Sequence, residues 1–194
     1  MPHHRVCVFS GSNSGARPDY AEAARRLGEE LLARNLELVY GGANTGLMTI
    51  VADTVMRGGG RVIGILPQGL ESREAAHRGL TELRIVPSMH ERKAMMYSLS
   101  DAFVSLPGGI GTFEETLEML TWSQLGIHQK PIGLLNVCGF YDGLLEFLEH
   151  AVREGFLPSE NKERLIIELK APRLLDRLEG CIPGLAERWG DPGR

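Results

Sequence analysis

The sequence predicts an α/β fold: a doubly wound, mostly parallel sheet with helices on both faces, in a single domain over residues 1–194. Three observations predict it. Short β-rich runs alternate with helical periods, the pattern of successive βαβ units. The runs are nearly all apolar, as in strands covered on both faces. Three of them end in glycine-rich turns that lead into helices, at the sheet edge where open α/β folds bind ligands.

Taken in order, Arg5–Ser10 (RVCVFS) reads as the first strand, with Cys7 as a buried free thiol. Tyr20–Arg34, rich in Ala, Leu and Arg, is a helix, and Leu36–Tyr40 a second strand. Gly46–Arg57 places Leu47, Ile50, Val51 and Val55 at helical spacing. Arg61–Leu66 is a third strand, and Pro67–Arg78, charged and without a clean period, is a loop. Leu83–Val86 is a strand, and Ser88–Leu99 a helix with Met89, Arg92 and Met96 on one face. Ala102–Leu106 is a strand, and Thr112–Leu125 a helix whose core stripe is Phe113, Leu117 and Leu120. Pro131–Val137 and Tyr141–Glu154 form the next strand and helix. Leu165–Leu169 reads as a late edge strand, Arg173–Leu178 as a last helix and WGDPGR as a frayed end.

Composition removes several function classes. Hydrophobic residues make up 43% and charged residues 24%, as in an ordinary globular protein. The net charge is −4 with no basic block, which argues against a nucleic-acid partner. No apolar run approaches the ~18 residues that span a bilayer, so no membrane role is expected. The N-terminus turns polar too soon for a signal peptide. Cys7, Cys138 and Cys181 form no CxxC pair, which suits a reduced cytoplasm. No HExxH or HxxxH spacing supports a metal site.

The glycine turns are FSGSNSG (Phe9–Gly15), YGGANTG (Tyr40–Gly46) and LPGGIGT (Leu106–Thr112). Glycine lets backbone approach a ligand, and the N–H groups of a following helix face an anion. Three such turns on one edge favour a nucleotide or phosphate crevice over three plain βα turns. Known phosphate motifs do not match: Leu47 stands where a Walker loop needs Lys, and no GxGxxG follows the first strand.

The third turn continues as PGGIGTFEE, Pro107–Glu115. Thr112 and Glu115 have the T-x-x-E spacing of a capping box, with Thr112 as N-cap and Glu115 folded back on it. The same spacing puts the Glu115 carboxylate beside any ligand held by the turn, while Glu114 points away toward solvent. The residues alone leave both readings open. In SMHERKAMM (Ser88–Met96), Arg92 and Lys93 oppose the macrodipole near a helix N-terminus. An anionic ligand offsets that cost; a surface ion pair explains it equally well.

Together, PGGIGTFEE and MHERKAMM resemble the two signatures of the Lonely Guy family of phosphoribohydrolases, PGGxGTxxE and MHxRKxxM. CVFSGSNSG, VYGGANTGLM and TWSQLGIHQKPIGLLN also read like family segments. The resemblance implies a Rossmann-like fold that hydrolyses the N-glycosidic bond of adenosine-type 5′-monophosphates, cytokinin riboside 5′-monophosphates or AMP, without a cofactor. By matching position it makes Arg92 and Glu115 the catalytic pair. Glu74, Lys93, Gly108, Gly109, Ile110, Gly111, Thr112, Phe113, Glu114 and Thr121 become substrate contacts. It further implies a homodimer. Ala43 and Thr49 stand where the family often has Gly, and the Ala43 methyl falls in a loop expected near the ligand, bearing on substrate preference. The older family label of lysine decarboxylase finds no pyridoxal-phosphate lysine here. Two other readings keep the fold without the chemistry: a nucleotide or phosphorylated-cofactor carrier, and a structural domain acting through protein contacts. The pair Arg92 and Glu115 separates them, since a carrier needs the glycine turn but not the carboxylate.

Overall fold

The computed structural model describes residues 4–70 and 76–182. Seven strands form one sheet: β1 (Arg5–Phe9), β2 (Glu37–Tyr40), β3 (Val62–Pro67), β4 (Glu82–Val86), β5 (Ala102–Ser105), β6 (Ile132–Leu135) and β7 (Leu165–Glu168). Their order is β4-β3-β2-β1-β5-β6-β7, and every neighbouring pair is parallel. The expected α/β class therefore holds, and Leu165–Glu168 is indeed an edge strand.

Alternation along each strand sends successive side chains to opposite faces. Val6, Val8, Leu38, Tyr40, Val62 and Val104 pack under α1 (Pro18–Ala33) and α2 (Gly46–Arg57), in the cluster that also holds Leu174, Leu175 and Leu178 of a C-terminal helix. Cys7, Phe9, Val39, Ile63, Ile65 and Phe103 pack on the other face under α3 (Met89–Leu99), α4 (Ile110–Gln124) and α5 (Asp142–Arg153). Each such side chain, fully buried, contributes about 1.5–3 kcal/mol. Two cores, one per face, explain why the strands read as continuous apolar runs. A five-residue helix, α6 (Ser159–Glu163), and the final helix, α7 (Ala171–Glu179), complete the chain.

The direction of winding positions the site. From β1 the chain runs outward through β2 and β3 to β4, and α3 then carries it back to β5 on the other side of β1. The order reverses between β1 and β5, and there the turns after the two strands diverge and leave a crevice. Three backbone hydrogen bonds join the glycine turns: Leu106 N–H to Phe9 O (2.9 Å), Gly11 N–H to Pro107 O (3.1 Å) and Leu47 N–H to Gly11 O (3.0 Å).

The structure corrects two local expectations. Ala43 does not reach the crevice: it is fully buried in the α1/α2 core and pairs with Ala76 in an antiparallel bridge. The Ala43 methyl therefore fills core space. The stretch expected to be a loop opens as the last residue of β3, Pro67; Glu71 to Ala75 lie outside the described residues, as does WGDPGR.

Candidate active site

Helix α4 starts earlier than its sequence suggests. Gly109 is the extended residue before it (φ −98°, ψ −158°), and the Phe113 N–H already bonds Gly109 O at 3.1 Å. Thr112 is thus the third helical residue, not the N-cap, and the expected T-x-x-E capping box does not form. The cause is packing. Thr112 turns inward, 4% exposed, and a Cβ on Gly108 would lie 2.1 Å from its Oγ1 and 2.8 Å from Gly11 N. Only glycine fits there. Thr116 fixes the first turns further, donating to Thr112 O and pairing with Ser105 of β5, both at 2.6 Å.

Two consequences follow at the N-terminus of α4. The N–H groups of Ile110, Gly111 and Thr112 have no acceptor within the helix, and Gly109, the residue before them, has no side chain with which to cap them. They and the helix dipole present about half a positive charge. A Cβ on Gly109 or Gly111 would meet no described atom within 4 Å, so this backbone faces open space. Glu115, one residue past the first turn, is 9% exposed and faces inward.

Arg92 comes from the neighbouring unit. Ser88 caps α3 by accepting from the His90 and Glu91 N–H groups (3.2 and 3.4 Å), and Arg92 follows one turn later. It is 7% exposed. Its Nη2 donates to Gly41 O at 3.2 Å, while its Nε has no hydrogen-bond partner among the described residues. A buried donor left in that state costs about 1–3 kcal/mol. A Cβ on Gly41 would stand 1.9 Å from Arg92 Nη2, so the first glycine of YGG makes room for the guanidinium.

Arg92 and Glu115 line one cavity of about 200 Å³ with Ser10, Gly11 and Ser12 of the β1 turn, Met48, Met89, and Gly109 to Thr112 with Glu114. Both charges also bear on Cys7, beneath them in β1. Burial, then the Glu115 carboxylate, pushes the thiol up, while the hydroxyl of Ser100 and the Arg92 charge pull it back. Across the shared wall of Gly11, Ser12 and Gly109 lies a second cavity of about 240 Å³, flanked by Tyr20, Leu47, Pro107 and Phe140. The Tyr141 hydroxyl donates to Leu106 O at 2.6 Å, just after β5, and burial raises its pKa.

Several predicted contacts are engaged with other parts of the protein or lie away from this cavity. The Lys93 ammonium is held by Glu114 and by Glu118, the latter at 2.9 Å. Burial lowers its pKa, but the bonds to the two carboxylates outweigh this and raise it. Glu114, half-exposed, is thus an ion-pair partner at the cavity rim. Phe113 is a core residue, its ring centroid 6.1 Å from that of Phe140 and 6.3 Å from that of Tyr141. Thr121 donates to Leu117 O and lies about 9 Å further along α4 than Glu115, outside the cavity of its own chain. Glu74 lies outside the described residues. The sequence reading missed Met48 and Met89 as cavity walls. Met89 carried a signal, since it is one turn from Arg92 on the same helix face; Met48 carried none.

The chain resembles known proteins in two ways. A family model described as "Possible lysine decarboxylase" matches residues 48–178. A probable cytokinin riboside 5′-monophosphate phosphoribohydrolase of Oryza sativa subsp. japonica is 52% identical over 92% of this chain and 79% of its own length. A cytokinin riboside 5′-monophosphate phosphoribohydrolase of Arabidopsis thaliana is 50% identical over 92% of this chain and 84% of its own. Among solved structures, the molybdenum cofactor binding protein of Rippkaea orientalis superposes with a TM-score of 0.68 at 21% identity, over 93% of this chain and 98% of that one. The molybdenum cofactor carrier protein of Chlamydomonas reinhardtii superposes with a TM-score of 0.70 at 16% identity, over the same shares. At such identities these two share the fold alone.

Proposed function

The chain belongs to the Lonely Guy family of phosphoribohydrolases, and on that premise we propose that it hydrolyses the N-glycosidic bond of adenosine-type 5′-monophosphates, releasing free base and ribose 5-phosphate. One observation carries the reading: two buried, oppositely charged side chains, Arg92 and Glu115, reach one cavity from separate βα units beside the N-terminus of α4. A pure carrier has no use for the buried carboxylate, and the carrier reading rests on fold likeness only.

In this reading the 5′-phosphate meets the N–H groups of Ile110, Gly111 and Thr112 at the helix N-terminus. As the bond from the anomeric carbon to the base nitrogen lengthens, positive charge grows on the ribose ring. Glu115 stabilises that charge and accepts a proton from the attacking water. The water oxygen becomes the 1-hydroxyl of ribose 5-phosphate, and the base leaves with the bonding electron pair and takes up a proton. Arg92 supplies its Nε–H and remaining donors to the substrate as charge-assisted hydrogen bonds. Glu74 is assigned a substrate contact by resemblance alone. We further propose a cytoplasmic homodimer, supported by the three free cysteines and by the family expectation.

The test is to incubate the protein with AMP and, separately, with its N6-isopentenyl analogue, and to measure free base and ribose 5-phosphate. At least one substrate should be cleaved. Glu115→Gln should lower kcat by about 10³-fold at an unchanged unfolding midpoint. Near-wild-type turnover in that variant would return Glu115 to a structural role.

A further inference from the structure

The carbonyl that receives Arg92 belongs to a loop held from its far side. Residues 41–43 follow β2, and Gly41 O accepts from Arg92 Nη2. Gly42 O accepts the His77 N–H at 3.0 Å, and Ala43 pairs with Ala76. The His77 ring, 12% exposed, bonds Asp53 of α2 through Nε2 at 2.9 Å. Tyr40, 2% exposed and immediately before Gly41, faces the same corner. Burial, and after it the Asp53 charge, raises its pKa. A helix, a strand end and residues 76–77 thus converge on one loop, and the loop carries the acceptor for a guanidinium.

We propose that Asp53 and His77 are positioning residues for the hydrolysis: their contact pins residues 41–43 so that the Gly41 carbonyl holds the Arg92 guanidinium in its working orientation. The proposal rests on the reading that Arg92 acts on the substrate. Neither residue lines the Arg92 cavity, so neither touches substrate there. Both act through the loop. Arg92 has a neighbouring sulfur, Met89 Sδ at 3.6 Å from Nη1, which directs it weakly. The Gly41 oxygen is the stronger guide. A shift of that oxygen by a fraction of an ångström tilts the planar fork, and geometry of this kind controls rate more than affinity.

The experiment is a double-mutant cycle on base release from AMP, or from its N6-isopentenyl analogue if that is the better substrate. His77→Ala and Asp53→Asn are each made alone and combined with Arg92→Lys. Expected is a loss in kcat of about tenfold for His77→Ala, with KM within about twofold of wild type. In the Arg92→Lys background the same change should cost less than about twofold, because the group being positioned is gone. His77→Gln, whose amide can donate to Asp53, should recover most of the loss. Asp53→Asn keeps a polar side chain at a half-exposed site and carries the prediction if His77→Ala does not fold. Equal losses in both backgrounds overturn the proposal, since a general loosening does not depend on Arg92. Full activity of Arg92→Lys alone overturns this proposal and the role of Arg92 together. Impaired Arg92→Lys beside unimpaired His77→Ala and Asp53→Asn overturns this proposal only.

Discussion

The turns after β2 and β5 both look like phosphate loops, and Gly41 in the first serves the opposite purpose to Gly109 and Gly111 in the second. After β2, the space a side chain would occupy at Gly41 is already taken by Arg92. After β5, no described atom lies within 4 Å of a Cβ built on Gly109 or Gly111. Gly41 is glycine because a side chain fills its place, and so is Gly108 after β5, whereas Gly109 and Gly111 have no described atom in front of them. A glycine-rich strand end therefore marks close approach, but the approaching group is an arginine in one case and open crevice in the other. Only the second has the surroundings of a ligand site, with helix N-terminal N–H groups and a buried carboxylate, Glu115, on the same helix.

Single-methyl substitutions sharpen this contrast. Gly41→Ala should have the largest effect, a fall in kcat of about fifty-fold, because the new methyl displaces the guanidinium. Gly109→Ala should be milder. Its φ of −98° is open to any residue and the methyl meets no described atom, so the unfolding midpoint should not move. KM should rise about fivefold as the methyl intrudes on the phosphate. Steady-state kinetics with thermal melts checks both, and identical kinetic signatures would break the contrast. The smallest effect serves as a control. His128 lies just past the far end of α4, 6% exposed, with its ring bonded to Met119 O at 3.0 Å. Burial lowers its pKa from the ordinary value of 6.5, against the opposing bond to the Met119 carbonyl. The unfolded chain therefore takes up the proton first. The neutral ring contributes fully above pH 6.5, and that stability is lost as the pH falls through and below this value. The unfolding midpoint should drop by a few degrees between pH 7.5 and pH 5.5, a slope that His128→Asn should flatten without changing KM at either turn.

Most of the fold was legible because it rests on periodicity. The apolar strand runs predict a sheet covered on both faces, and the two clusters of buried side chains are that prediction realised. The start of α4 was not legible, for a physical reason. Thr followed three residues later by Glu is a good local N-terminus, but Thr112 is claimed by packing against Gly108, which itself abuts Gly11 of the β1 turn, a neighbour distant in sequence. The partners of Lys93 were hidden for a related reason: Glu114 and Glu118 lie on another helix. The site was readable where a motif concentrates its residues, as in PGGIGTFEE. It was hidden where a wall comes from a lone apolar side chain such as Met48, or where a support such as the Asp53–His77 contact spans 24 positions.

The backbone bonds that join the three turns set a limit on how this crevice can be borrowed. Gly11 donates to the turn after β5 and accepts from the helix after β2, so it ties all three together like a keystone. A designer who moves PGGIGTFEE alone onto another parallel sheet carries over the anion-facing backbone without what fixes its angle. The portable unit is discontinuous: Gly11, Gly41, Leu47 and the nine residues from Pro107 travel together, or the crevice does not arrive.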